Sequence, residues 1–166
     1  MFIPYNKTAY EIAVEEQRLR APHMLTKYAN SAARKAGQIR GLAIEHHVSD
    51  YFRSNYPDNF LEADNYQIWN QPCGHDFKLR VCNEILKIDV TGPKKDGTFG
   101  SYSQKPSYGV DYHIVTEAVG FVNWNNIDFE KGFNILGVVS SRRYVQRLDV
   151  SNIGSLKRWL KYIGLE

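Results

Sequence analysis

The sequence has few cysteines and no long apolar run. Its two cysteines, Cys73 and Cys82, are too few for a disulfide framework, and reduced thiols fit them best. Their spacing with His75 matches no zinc-ligand pattern, and a fourth ligand is not evident. No stretch approaches the roughly 18–20 apolar residues of a membrane span, and the first residues lack the apolar segment of a secretory signal. We therefore expect a cytoplasmic protein that has no membrane partner.

The sequence also lacks internal repeats and low-complexity tracts. It contains 166 residues, 43% of them hydrophobic, which suits one globular domain with a substantial core. We divide this single domain (1–166) into a helical N-terminal extension (1–36), a core (37–145) and a C-terminal helix (151–166). Helical and strand patterns both occur in the core, so the predicted class is α/β (α+β).

Positive charge is unevenly distributed along the chain. The net charge is +3 and the isoelectric point is near 8.8. Residues 1–40 hold seven Lys or Arg against three Glu, a local charge of +4, whereas residues 41–70 hold five acids and one Arg, a local charge of −4. A basic N-terminal third is compatible with a partner that carries a phosphate backbone, although many domains that bind no nucleic acid are as basic.

Two alternating runs, separated by Asn83–Glu84, predict a β-hairpin between Asp76 and Thr91. Alternate residues of a strand point to opposite faces, so one face of this hairpin is apolar and the other carries the charges. The apolar face comprises Phe77, Leu79, Val81, Leu86, Ile88 and Val90.

The register of this hairpin brings two aspartates towards each other. With Asn83–Glu84 as the loop, Asp76 faces Thr91 and Lys78 faces Asp89. Directly opposed side chains lie about 5 Å apart and diagonal ones about 7–8 Å. Asp76 and Asp89 then converge from neighbouring strands, as a divalent cation requires. The alternative is a solvated face whose charges pair with one another.

The pattern from about Ala32 to Asn55 predicts a long helix with an acidic residue in its apolar stripe. Glu45 lies three residues from an apolar position on either side. Burying a carboxylate is costly unless it is paired or binds a metal. Glu45 is therefore a candidate ligand; the alternative is a boundary residue that reaches water or meets an arginine. Gly37 and Gly41, four residues apart, predict the close approach of a neighbouring element.

The stretch from Gly92 to Gly109 is a long loop in which lysines are interleaved with aromatic residues. Long loops within compact domains are usually functional or mobile. Lysine and aromatic side chains suit phosphate contact and base stacking; the alternative is a surface loop without function. The predicted nucleic-acid-binding residues are Arg34, Lys35, Lys78, Lys95, Lys105 and Tyr102.

Further strands and a helix complete the pattern. Tyr66–Trp69 suggests an edge strand, and Val110–Val122 predicts another strand. Phe133–Val145 contains a nearly all-apolar strand, as expected for one covered on both faces. A last helix, capped by Ser151 or Asn152, is expected to turn five apolar residues inward: Ile153, Leu156, Trp159, Leu160 and Ile163.

This order of elements resembles the PD-(D/E)XK nuclease superfamily, whose fold is called restriction-endonuclease-like. The chain has a helix with an inward Glu, a strand opening with Asp, a return strand with a second acid, and further strands. The resemblance spans Gly37 to Val145 and implies a central mixed β-sheet of four to five strands flanked by helices. In that family the strand acids bind Mg²⁺, often helped by the helix Glu, and Mn²⁺ is expected to substitute. The implied metal ligands here are Asp76, Asp89, Glu45 and the backbone carbonyl of Val90.

The sequence departs from the family motif at Thr91. Asp-Val-Thr at 89–91 stands where the family has Asp/Glu-x-Lys, and a hydroxyl cannot supply the charge of that lysine. Lys94 is the leading candidate for a displaced lysine, with Lys78 and Lys87 as others. Otherwise the metal alone activates water, or the domain no longer cuts.

The resemblance implies a metal-dependent DNA endonuclease, either restriction-like or specific for a DNA structure such as a junction. A homodimer would allow both strands of a duplex to be cut. The alternative is a catalytically inactive nucleic-acid-binding domain of the same fold. The predicted catalytic residues are Glu45, Asp76, Asp89 and Lys94.

Overall fold

The computed structural model describes residues 1–23, 32–64, 74–92, 109–118, 121–123, 126–127, 131–141 and 153–166. The helices in these ranges are α1 (Lys7–Arg20), α2 (Ala32–Asn55) and α3 (Leu156–Tyr162), and a 3₁₀ turn, Ala21–His23, follows α1. The strands are β1 (Phe2–Ile3), β2 (Phe60–Glu62), β3 (Phe77–Val81), β4 (Glu84–Thr91), β5 (Tyr112–Ala118), β6 (Phe121–Asn123), β7 (Asn126–Ile127) and β8 (Phe133–Ser140).

Six of these strands form one mixed sheet in the order β1-β8-β5-β4-β3-β2. β4 and β5 run parallel, and the other neighbours in the sheet are antiparallel. β6 and β7 pair with each other. The predicted mixed α/β class is therefore confirmed.

The predicted number of strands, four to five, is wrong because both edges of the six-stranded sheet are very short strands. On one edge, β1 pairs Phe2 with Asn134 of β8; on the other, the three residues of β2 pair with β3. Two or three residues are too few to show an alternation of apolar and polar positions. The edge strand suggested at Tyr66–Trp69 lies outside the described residues.

α2 packs on one face of the sheet and supplies the centre of the hydrophobic core. Ile44, Val48 and Phe52 are buried against apolar residues of the central strands. The rings of Phe52 and Phe77 pack with centroids 5.1 Å apart. Burial of one such side chain contributes about 1.5–3 kcal/mol, so this helix face holds α2 on the sheet.

The predicted bounds of α2 are confirmed, but its glycines have a different environment from the one expected. Within the described part of the chain, a Cβ built on Gly37 or Gly41 would meet no atom within 4 Å. The prediction that they admit a neighbouring element is therefore wrong. α1 instead packs on α2 through buried Ala13, against Leu42 and Ala43.

The segment before α3 docks on β8 through a close backbone contact. Val138 and Gly154 exchange two backbone hydrogen bonds, of 2.8 and 2.9 Å. A Cβ at Gly137 would overlap the Ile153 side chain and the Gly154 carbonyl oxygen, so only glycine fits there. α3 begins at Leu156 with Ser155 as its N-cap, so the predicted cap at Ser151 or Asn152 is wrong. Of the five predicted inward residues, Leu156, Trp159 and Leu160 are buried, and Ile153 and Ile163 are partly buried.

The hairpin of β3 and β4 has the predicted faces but a different register. Val81 pairs with Glu84, so the two-residue turn is Cys82–Asn83 and not Asn83–Glu84. Cys82 has a φ of 52°, which suits the first residue of a primed hairpin turn. A shift of two residues keeps every side chain on its own face, so alternation alone does not determine this register.

The face of the central strands opposite α2 carries buried polar side chains. Asp89 of β4 lies level with His113 of β5, and Thr91 lies level with Val115. Asp89, Thr91 and His113 are all buried. The predicted functional residues of β4 therefore lie in the interior, beside polar partners from a second strand.

Candidate functional site

Asp76 directly precedes β3 and lies beside the strand that carries Asp89. The β3–β4 ladder ends at the pair Phe77–Ile88, so Asp76 is held by hydrogen bonds beyond the end of the ladder. The Asp76 N–H donates to the Ile88 carbonyl oxygen at 2.8 Å, and Asp76 Oδ2 accepts from the Val90 N–H at 2.6 Å. The Asp76 carboxylate is therefore held against the strand that carries Asp89, one residue away from it.

Lys78 does not face Asp89, and Asp76 does not face Thr91, so both predicted pairings are wrong. Lys78 pairs with Lys87 across the hairpin. Lys78 Nζ donates to Asp64 Oδ1 at 2.5 Å, and Lys87 Nζ is 3.9 Å from Asp64 Oδ2. The hydrogen bond from Lys78 keeps the pKa of Asp64 below its ordinary value. Part of the positive charge on this face is thus balanced by a carboxylate.

Asp89 belongs to a chain of hydrogen-bonded side chains that crosses three neighbouring segments. Its Oδ2 lies 2.8 Å from His113 Nδ1, and His113 Nε2 lies 3.0 Å from Ser141 Oγ. The exposed fractions are 2% for Asp89, 0% for His113 and 8% for Ser141. Because an ionised carboxylate only accepts hydrogen bonds, Nδ1 carries the proton, and a neutral ring then accepts the Ser141 hydroxyl at Nε2.

His113 and Ser141 are the polar residues of this site that sequence reasoning missed. They lie 24 and 52 residues beyond Asp89 in the printed sequence, in segments that read as ordinary strand and strand end. The usable signal is a histidine within an otherwise apolar strand, because a buried imidazole requires polar partners. Its partners become apparent only once the parallel pairing of β4 with β5 is known.

Glu45 of α2 lies partly buried within electrostatic reach of Asp89. Burial is the main cause that raises its pKa, and the charges of Glu16 and Asp89 raise it further. Arg20 and His46 act in the opposite direction. The site therefore gathers negative charge from a helix and a strand, and a nearby arginine offsets part of it.

Glu16 links α1 to this end of α2. Glu16 Oε2 is 2.6 Å from His46 Nε2, and Glu16 also forms an ion pair with Arg20. Glu16 is 5% exposed. The environment of Glu45 thus includes both the acidic neighbours that a metal site needs and the arginine of the alternative interpretation.

Thr91 occupies the position where the family motif has lysine, and its hydroxyl has no hydrogen-bond partner among the described residues. The residue is 3% exposed. It lies two positions beyond Asp89 on the same strand, so the two side chains share a face. An unpaired buried hydroxyl costs about 1–3 kcal/mol, which favours a water or a ligand at this atom.

The other predicted nucleic-acid-binding residues are only partly covered by the structure. Lys35 is exposed on α2. Arg34 lies in the first turn of α2, but its side chain lies outside the described part of the structure. The stretch 93–108 lies entirely outside the described residues, and it contains Lys94, Lys95, Lys105 and Tyr102.

The donor chemistry of the site suits a hard divalent cation. Asp76, Asp89 and Glu45 offer carboxylate oxygens, the ligand type that Mg²⁺ prefers. Within the described ranges, no group of three or more His, Cys, Asp or Glu side chains is arranged to hold a metal. Mg²⁺ usually keeps several waters and is held by one or two carboxylates together with substrate phosphates. Asp76 and Asp89 offer the one or two carboxylates that such a site uses.

Comparison with known proteins gives no relative: no family model, no curated protein and no solved structure matches this chain. None of the helices in the described residues is both long and apolar enough to cross a membrane.

Proposed function

We propose that this protein is a Mg²⁺-dependent endonuclease of the restriction-endonuclease-like fold that hydrolyses phosphodiester bonds in DNA. The observation that carries the proposal is the 2.6 Å hydrogen bond from the Val90 N–H to Asp76 Oδ2, which holds the Asp76 carboxylate against the strand that carries Asp89. Two carboxylates on neighbouring strands repel each other, and a divalent cation between them removes that repulsion. Glu45 on α2 is close enough to Asp89 for their charges to interact, and it adds a third acid to this part of the molecule.

In this proposal each acid has a defined task. Asp76 and Asp89 hold the cation, and the Val90 N–H fixes the orientation of the Asp76 carboxylate through its 2.6 Å hydrogen bond. The Val90 carbonyl would be a further ligand, and Glu45 would bind the cation directly or through water. A bound ion would orient and polarise the attacking water and stabilise the charge that develops on the phosphate.

Binding of the nucleic acid is proposed to rest on the basic part of the chain. Residues 1–40 carry a local charge of +4. Lys35 is exposed on α2, so its ammonium is accessible to a phosphate. Lys94, Lys95 and Lys105 lie outside the described residues, and we propose from the sequence alone that they also contact the nucleic acid. A homodimer would place two such sites on one duplex.

A second candidate function is a nucleic-acid-binding domain that no longer cuts. The observation that favours it is Thr91, since a hydroxyl in place of the motif lysine carries no positive charge. In this case the acids of β3 and β4 would be remnants of a catalytic site. The two candidates differ in one measurable property, which is metal-dependent cleavage.

The test is a cleavage assay on plasmid, linear, single-stranded and branched DNA, with Mg²⁺, with Mn²⁺ and with a chelator. We expect cleavage with either metal and none with the chelator. Asp89→Asn should lower the rate about 100-fold or more, because it removes the negative charge of a proposed metal ligand and so weakens the bound ion that stabilises the transition state. Asp58→Asn, which alters net charge equally at an exposed turn, should leave it unchanged. Binding without cleavage on every substrate would favour the second candidate, and the absence of both would reject the two together.

A further inference from the structure

We propose that His113, held in turn by Ser141, is the positioning residue for the metal-binding carboxylate of Asp89. This inference rests on the proposed metal site and adds two residues to it. Neither belongs to the Asp-Val-Thr motif or to the helix that carries Glu45.

When the His113 ring is neutral, its two hydrogen bonds are compatible with only one tautomer. Asp89 Oδ2 accepts the Nδ1 proton of His113 at 2.8 Å, and Nε2 accepts the Ser141 hydroxyl proton at 3.0 Å. Both ring nitrogens are therefore satisfied, although His113 is fully buried. The ring has a fixed tautomer and a fixed orientation.

A fixed ring matters for Asp89 because a carboxylate rotates about its Cβ–Cγ bond. The hydrogen bond from His113 at one oxygen restricts that rotation and thereby sets the direction of the other oxygen. His113 lies level with Asp89 on the adjacent parallel strand, so sheet pairing itself maintains the contact. Partners of this kind behind a metal ligand typically change metal affinity about 10–100-fold when they are removed.

The same order of groups, Asp–His–Ser, also occurs in enzymes that use serine as a nucleophile. Here the surroundings of Ser141 favour the positioning role. The Ser141 N–H donates to the Asp111 carbonyl oxygen at 2.9 Å, so it is not available to stabilise an oxyanion. In addition, Ser141 is only 8% exposed, so a substrate has little access to its hydroxyl. This hydroxyl is the last group in the series of hydrogen bonds that starts from Asp89.

The experiment compares Mn²⁺ affinity, measured by calorimetry, for the intact chain and three variants. His113→Leu removes both hydrogen bonds and should weaken binding about 10–100-fold. His113→Asn keeps an N–H donor near the position of Nδ1 and should stay within about threefold of the original affinity. Ser141→Ala frees the ring and should give an intermediate loss. In cleavage assays the same variants should raise the Mg²⁺ concentration needed for half-maximal rate more than they lower the rate at saturating Mg²⁺.

Thermal unfolding without metal checks that each variant is folded. If His113→Leu does not fold, the comparison of His113→Asn with Ser141→Ala still decides the question. Equal Mn²⁺ affinity in the folded variants and the original chain would overturn the positioning role and leave the metal site intact. An original chain that binds no Mn²⁺ at millimolar concentration would overturn both proposals. Covalent labelling of Ser141 by a fluorophosphonate, independent of metal, would assign it as a nucleophile and overturn the positioning role.

Discussion

Two buried polar side chains on β4 have opposite hydrogen-bonding states. Asp89 is bonded to the ring of His113, whereas the Thr91 hydroxyl has no partner among the described residues. A satisfied buried group is close to neutral for stability, and an unsatisfied one is destabilising. The indole Nε1 of Trp159, in the hydrophobic core, is also buried without a partner among the described residues, so the Thr91 hydroxyl by itself does not distinguish a binding site from a structural core.

Replacement of Thr91 by valine tests this difference. Thr91→Val has nearly the same shape and removes the unpaired hydroxyl, so the free energy of unfolding should stay the same or rise by about 1 kcal/mol. The matched control is Thr116→Val, because the buried Thr116 hydroxyl donates to the Thr91 carbonyl oxygen at 3.1 Å. That variant should lose about 1 kcal/mol in urea denaturation. Equal losses in the two variants would show that the Thr91 hydroxyl does have a partner.

His47 is a buried histidine whose neutral form is specified by its contacts. Its Nδ1–H donates to the Ala43 carbonyl oxygen at 2.6 Å, and its Nε2 accepts from the Asn6 N–H at 2.7 Å. Burial lowers the pKa of His47; the Ala43 bond and the charge of Asp50 oppose this shift, and His46 adds to it. A proton on Nε2 would face the Asn6 N–H and break the contact.

Stability should therefore fall as the pH is lowered. The folded protein binds fewer protons at His47 than the unfolded chain, so its contribution is fully present above the ordinary pKa of about 6.5. It is lost as the pH falls from there through the lowered folded pKa, with a slope of up to about 1.4 kcal/mol per pH unit. His47→Gln should flatten this part of the curve in urea denaturation between pH 7 and 5. The same slope in the variant and the original chain would contradict the assignment.

At the scale of elements, the contact between β8 and the segment before α3 depends on the absence of a side chain at Gly137. A Cβ there would overlap Ile153 and Gly154. The N–H and the carbonyl oxygen of the neighbouring Val138 are both hydrogen-bonded to Gly154. The backbone therefore cannot move away without breaking these bonds. The attachment of α3 is therefore sensitive to one methyl group.

Gly137→Ala should destabilise the protein by about 1–3 kcal/mol or more, because it overpacks a backbone contact. Gly41→Ala is the matched control. A Cβ at Gly41 meets no atom of the described residues within 4 Å, and alanine is favoured over glycine in a helix interior by about 1 kcal/mol. The control should therefore raise the thermal unfolding midpoint while Gly137→Ala lowers it. A neutral Gly137→Ala would mean that β8 and α3 are packed more loosely than described.

Local patterns were sufficient for some elements and insufficient for others. The bounds of α2 and the inward residues of α3 follow from helical periodicity, and the faces of the hairpin follow from alternation. The register of the hairpin does not follow from alternation, because a two-residue shift keeps every side chain on the same face. β1 and β2 could not be predicted from the sequence, because their formation depends on the strands beside them and not on their own few residues.

At the scale of the whole molecule, the candidate site lies where sequence-distant parts meet. The hairpin supplies Asp76 and Asp89, α2 supplies Glu45, and strands from the second half of the chain supply His113 and Ser141. The three acids could be proposed from sequence because each breaks a local pattern. The two partners could not, since their role arises from the parallel pairing of β4 with β5.

The most direct test of the metal site is a crystal soaked in MnCl₂ and measured at the manganese absorption edge. We expect an anomalous peak between Asp76 and Asp89, about 2.1 Å from carboxylate oxygens of both, with Glu45 bound directly or through water. We also expect His113 to remain hydrogen-bonded to Asp89 beneath the ion. No peak at that position, or the two aspartates pointing to different sides of the sheet, would contradict the proposal.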